Sequence, residues 1–166
     1  MKSVAFLLVA VLAVSCAAAE RPQSVVDAFY SAHLPHRTGG LPSGDELRRL
    51  QPFLSQRLHG LITAALAYQE DWVKRNPPDE KPPFVDGDYF SSVFEGPGSF
   101  KVSRVVKEQD GWHVHVRFKY EPAPDWEDVV VVKQENGRYV IDDVLFSGVG
   151  EFNPPGRLSE RLKPMP

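Results

Sequence analysis

The sequence predicts an α+β fold in which N-terminal helices pack on a curved antiparallel β-meander. Three observations predict it. Apolar residues recur at helical spacing through the first half of the 166-residue chain. Alternating apolar and polar runs flank Asp110-Gly111 and Asn136-Gly137 in the second half, and a proline-rich stretch, 76–83, separates the two. Helices first and strands afterwards is the order of an α+β domain, with the helices gathered on one face of the sheet.

At the start of the chain, Val4 to Val14 is an unbroken apolar run behind Met1 and Lys2. It is too short for the ~20 residues that span a bilayer and of the right length for a secretory signal over residues 1–19. Two cleavage readings share the same residues. Ala17-Ala18-Ala19 offers small side chains and a soluble product beginning at Glu20, whereas Leu12-Ala13-Val14-Ser15-Cys16 resembles a bacterial lipobox, with cleavage before Cys16 and lipidation of that residue, the only cysteine. Ala17 in second place would then favour the outer membrane. A single α+β domain is expected over 20–148, and 149–166, with Pro154-Pro155, reads as a surface tail.

Within the domain, Ser24 with Asp27 caps a helix to about Leu34, whose apolar face is Val25, Val26, Phe29, Ala32 and His33. Ser43-Gly44-Asp45-Glu46 has the spacing of a capping box at a second helix, with Leu47 and Leu50 as its buried pair. Pro52 opens a long third helix, and its apolar stripe runs through Leu58, Ile62 and Ala65 towards Trp72 and Val73. Pro77, Pro78, Pro82 and Pro83 make the next stretch an extended connector. The two glycine dipeptides accept the positive φ of type I′ turns, pairing 100–107 with 112–120 and 126–134 with 139–146. In the second strand Trp112, Val114, Val116, Phe118 and Tyr120 share the core face, and His113, His115, Arg117 and Lys119 the wet one.

Charge and motifs narrow the chemistry. The net charge is −3, and loss of residues 1–19, whose only charge is Lys2, takes it to about −4. That sign, with no Lys/Arg run, opposes binding to nucleic acid or to anionic lipid surfaces. There is no G-x-S-x-G elbow and no phosphate-binding glycine loop. His113-x-His115 has strand-ligand spacing, yet Arg117 and Lys119 continue the same face, so the pair reads as solvated, and no metal or cofactor is expected. Asp86-Gly87-Asp88 with Glu95 lacks the six or more oxygens and the loop order of a calcium site. It reads as structural: Gly87 turns the chain, Asp88 caps a short helical segment from Tyr89 and Phe90 to Phe94, and Glu95-Gly96 closes it. Asp142 and Asp143 alternate on the last strand, so one of them faces the helix-covered side.

Residues 82–96, PPFVDGDYFSSVFEG, and the closing strand 137–144, GRYVIDDV, resemble the nuclear-transport-factor-like (cystatin-like cone) superfamily, especially its small exported bacterial members. The resemblance covers about Ser24 to Ser147 and implies a cone with a cavity between the long third helix and the meander. Such folds host isomerases, dehydratases, adaptors and immunity proteins, so the fold alone selects no activity. The expected function is that of a non-enzymatic envelope protein in the bacterial periplasm, soluble or anchored to the outer membrane by lipid. It would bind a protein partner or a small apolar ligand in an accessory or immunity-type role, and its exposed sheet face leaves room for a dimer. The alternative is a small lyase or isomerase. There the resemblance implies an inward Asp142 or Asp143 as general base, its pKa raised by desolvation, with a tyrosine such as Tyr89 as partner acid.

Overall fold

The structure, a computed structural model, describes residues 21–121, 123–149 and 154–164. The expected signal segment, including Cys16 and both cleavage sites, lies outside the described residues. Helix α1 (Pro22–His33) starts on Pro22, whose missing N–H costs nothing in a first turn. Arg21 is its N-cap residue, so Ser24 is not the expected cap: it sits inside the helix with its N–H on the Arg21 carbonyl at 2.9 Å. Val26, Phe29, Tyr30 and His33 form the buried face.

Helix α2 (Gly44–Leu50) begins after Ser43 as expected, but the capping box does not form. Glu46 is buried and turns towards Thr38 and His33 instead. Pro52 lies in a separate 3₁₀ turn, Gln51–Phe53, and α3 (Gln56–Arg75) starts later because Ser55 takes its cap, Oγ accepting from the Leu58 N–H at 2.9 Å. Of the α3 stripe, Leu58, Ile62 and Ala65 are fully buried, whereas Val73 is 53 % exposed.

Strands β1 (Ser99–Glu108), β2 (Gly111–Tyr120), β3 (Ala123–Glu135), β4 (Arg138–Phe146) and β5 (Gly156–Arg157) form one open antiparallel sheet in sequence order. Asn136 (φ 51°) and Gly137 (φ 79°) make the expected two-residue turn. The first hairpin differs: Glu108 pairs with Gly111, so the turn is Gln109-Asp110. Gly111 is needed for another reason, since a Cβ there would lie 2.5 Å from the Val132 carbonyl oxygen of β3. Register shifts at Val102/Arg104, Phe118/Tyr120 and Val131/Val132 mark bulges, which bend and twist their strands.

Helix α1, not the longer α3, contacts all four long strands. Its rings fill the space beneath it. Tyr30 stacks edge-on to Phe118 at 5.0 Å, Phe118 lies 5.5 Å from Trp126, and Phe29 meets Phe90 at 4.9 Å. Beside β4, Leu54 bridges to Ile141 and β5 pairs with Leu145 and Phe146, which covers much of the outer edge of that strand. Helix α4 (Leu158–Arg161) follows at once, with Leu158 and Leu162 buried in the core. The described part of 149–166 is therefore not a surface tail, because two leucines one helical turn apart close the base of the core.

Candidate functional site

The bulge at Asp142 changes the face on which the two aspartates lie. Val131 pairs with Asp143 and Val132 with Ile141, so Asp142 is the extra residue and the alternation expected of a regular strand is lost. Ile141 and Val144 both enter the core, while Asp142 and Asp143 share an outer cleft with Arg57, Lys133, Arg157 and Ser159. Neither faces the apolar interior, which corrects the expected inward placement. Asp142 accepts from Ser55 Oγ (2.7 Å), from Arg57 Nε and Nη2 (each 3.0 Å), and pairs with Lys133 Nζ (2.7 Å). Burial alone would raise its carboxyl, but the hydrogen bonds from Arg57, Lys133 and Ser55 outweigh it and bring the pKa down to about 2. Asp143 accepts from the N–H (3.0 Å) and Oγ (2.7 Å) of Ser159 and so ties α4 to β4. Tyr89, the candidate partner acid, lines a different cavity and is not brought to either aspartate.

The aspartate on the inner face is Asp128. It lies between Trp126 and Val130 on the core side of β3 and is fully buried. Its oxygens accept from the Ser92 N–H and Oγ, from Trp126 Nε1 (3.1 Å), and from the Ser147 N–H (3.0 Å) and Oγ (3.2 Å). Five donors leave it a structural clamp joining the 89–98 segment to the end of β4.

The Asp86-Gly87-Asp88 motif forms bends and turns, with no helix over 89–94. Asp88 Oδ1 accepts from the Phe90 N–H at 2.6 Å, the local bond of an Asx-type turn, while its N–H donates to the Phe94 carbonyl at 2.8 Å. Gly87 has a φ of 73°, Asp86 pairs with Lys81, and Glu95 is exposed before the Gly96-to-Val93 closing bond. Asp88 Oδ2 meets His33 Nε2 at 3.1 Å, and His33 Nδ1 faces Glu46 Oε1 at 3.5 Å. That second contact is an ion-pair distance, and Nδ1 makes no hydrogen bond. Burial would lower the imidazole, yet the carboxylates of Asp88 and Glu46 raise it to about 9, so His33 is an imidazolium at neutral pH. His113 and His115 are separately engaged, with Asp110 (2.8 Å) and Glu127 (2.9 Å). Among the described residues no group of three or more His, Cys, Asp or Glu could hold a metal ion.

A cavity of about 400 Å³ opens between α3, the 81–89 segment and α4. Its walls are aromatic: Tyr68 and Trp72 from α3, Phe84 and Tyr89 from the connector. Tyr68 meets Phe84 at 6.3 Å and Phe84 meets Tyr89 at 6.2 Å, both edge to face. Lys81, Arg161 and Lys163 supply the charge around it. Arg161 is set by its guanidinium lying 3.8 Å over the Phe146 ring and by Nη2 donating to the Pro154 carbonyl at 3.1 Å. Burial lowers its pKa, partly offset by the charge of Asp128 and by Tyr89. The cavity was expected between the long third helix and the meander, but α1 and its rings fill the space over the sheet, and the cavity opens instead between α3, the connector and α4. Arg161 and Lys163 were not expected at it, because a four-residue helix is too short to leave a periodic signal. Asp128 did leave one: an acidic residue in phase with Trp126, Val130 and Val132.

Compared with protein-family models, curated proteins and solved structures, the chain gives no match.

Proposed function

We propose that this chain is an exported, non-enzymatic binding protein whose aromatic cavity takes a small, largely apolar ligand. The observation that carries the reading is the cavity itself. At about 400 Å³ and walled by four aromatic side chains, it has the size and lining of a small-molecule site. Asp142 is held ionised among cations on the outer face and is not poised as a base near neutral pH, while the oxygens of the inner carboxylate, Asp128, are committed to hydrogen bonds from Ser92, Trp126 and Ser147. Export is supported by the apolar run Val4 to Val14, with the mature protein either soluble from Glu20 or lipid-anchored through Cys16 in the envelope. Helices followed by an open antiparallel sheet agree with a nuclear-transport-factor-like cone, which stands as part of the same proposal.

Native mass spectrometry of protein gently extracted from its own envelope fraction tests the reading. The expected spectrum carries a small-molecule adduct that Trp72→Ala loses, and its mass also reports whether the chain begins at acylated Cys16 or at Glu20. A bare protein mass, or an adduct that survives Trp72→Ala, would contradict it. A second reading, a protein partner, is favoured by exposed Val73 and Val85, which border a shallow groove with Pro82 next to the cavity. A companion of protein mass in the same spectrum would select it.

A further inference from the structure

We infer that the cavity between α3, the 81–89 segment and α4 selects a small organic anion with a flat aromatic body, its charge held by Arg161 and Lys163 and its rings packed against Trp72 and the neighbouring aromatics. The inference rests on the binding reading above and names the ligand class for the same site. Aromatic walls by themselves favour either a neutral ring system or a cation, which the face of a tryptophan or tyrosine attracts. Charge decides against the cation. Among the described residues three basic side chains and no carboxylate line this cavity, in a chain whose net charge is −3.

The three cations are not equivalent. Lys81 is already paired with Asp86. Arg161 and Lys163 make no ion pair among the described residues, and Arg161 spends one donor on the Pro154 carbonyl out of the five that a guanidinium carries. Asp128, whose charge reaches Arg161, has its oxygens committed to Ser92, Trp126 and Ser147. Arg161 is also positioned before any ligand arrives, because it is stacked on Phe146, so little side-chain freedom remains to be lost on binding. Among the described residues this half-buried guanidinium, at the end of an aromatic cleft, makes no ion pair, and a ligand carboxylate or sulfonate would meet it with charge-assisted hydrogen bonds. Edge-to-face rings around a cavity of about 400 Å³ leave room for two fused rings and a substituent.

Two fluorescent probes that share one body separate the inference from the reading beneath it: 8-anilinonaphthalene-1-sulfonate, an anion, and N-phenyl-1-naphthylamine, which lacks the sulfonate. Each is titrated into the folded full chain, into Lys163→Gln, Arg161→Gln and Trp72→Ala, with circular dichroism confirming that each variant is folded. The expected result is that the anion binds at least about tenfold more tightly than the neutral probe. Lys163→Gln and Arg161→Gln then each reduce that preference, and Trp72→Ala weakens both probes. Lys163 is exposed and makes no ion pair among the described residues, so its variant keeps the test valid if Arg161→Gln fails to fold. Equal affinities that both depend on Trp72 would overturn the anion inference and leave the binding reading intact. Affinities indifferent to Trp72→Ala, or no binding of either probe, would overturn both.

Discussion

Raising the pH from about 6 to about 10 removes the proton that holds His33 between Asp88 and Glu46, and the fold should lose stability as it goes. Its side chain is buried, so solvent screens the contact little. The imidazole rises from 6.5 to about 9 on folding, against the penalty of its own burial, through the two carboxylates that face it from the 86–88 turn and from α2. Because the folded value is the higher one, the native state keeps its proton where the unfolded chain has lost it. The stabilisation is fully present below pH 6.5 and vanishes as the pH climbs through about 9. A shift of that size is worth about 3 kcal/mol. Urea unfolding followed by tryptophan fluorescence at a series of pH values, for the native chain and for His33→Gln, measures it. Lysine and tyrosine titrations are common to both proteins and cancel in the difference. The native chain should be the more stable at the acidic end by about 3 kcal/mol, with the two curves converging near pH 10. Parallel curves across the whole window would refute the imidazolium reading.

Arg57→Ala should cost about 2 kcal/mol by stripping the bidentate partner from Asp142, and should raise that carboxyl from about 2 towards its ordinary value, which a carbon-detected NMR titration follows. As the folded Asp142 value is depressed, its contribution is present above the ordinary value of 3.8 and is lost as the pH falls through about 2. Asp128→Ala should destabilise by about 3 kcal/mol or more, since the Trp126 indole and the Ser92 and Ser147 amides lose their buried acceptor; thermal unfolding reads it, and a change under 1 kcal/mol would count against the clamp. Leu158→Ala should cost about 2–5 kcal/mol, whereas a residue on a surface tail would cost almost nothing. Gly60→Ala, in α3 where a new Cβ meets nothing, should stabilise by up to about 1 kcal/mol, while Gly111→Ala should destabilise through its clash with the Val132 carbonyl.

What was legible in the sequence was local. Period-two alternation located four strands, the Asn136-Gly137 turn fell where its φ preference puts it, and Pro77 to Pro83 separated helices from sheet as their missing donors require. What was illegible depends on partners far along the chain or on a single inserted residue. A helix pattern records which face is apolar but not which helix lies on the sheet, and Phe29 and Tyr30 of the shorter α1 took that place. One bulge at Asp142 moved a carboxylate from the expected interior to an outer ion cluster. His33, Glu46 and Asp88 come from three separate segments, and nothing in their spacing announces that they meet. Arg161 and Lys163 reach the cavity only because Leu158 and Leu162 draw the chain back into the core.

The three tryptophans allow the central claim to be tested in a single titration. Trp72 lines the cavity, Trp112 meets Tyr139 edge to face with Lys107 over its ring, and Trp126 donates its indole N–H to buried Asp128. The indole N–H cross-peaks of nitrogen-15-labelled protein are followed by NMR as 8-anilinonaphthalene-1-sulfonate is added. The account predicts that the Trp72 peak moves in a saturable way while those of Trp112 and Trp126 stay in place. A Trp72 peak that stays still, or three peaks that drift together without saturation, would contradict it.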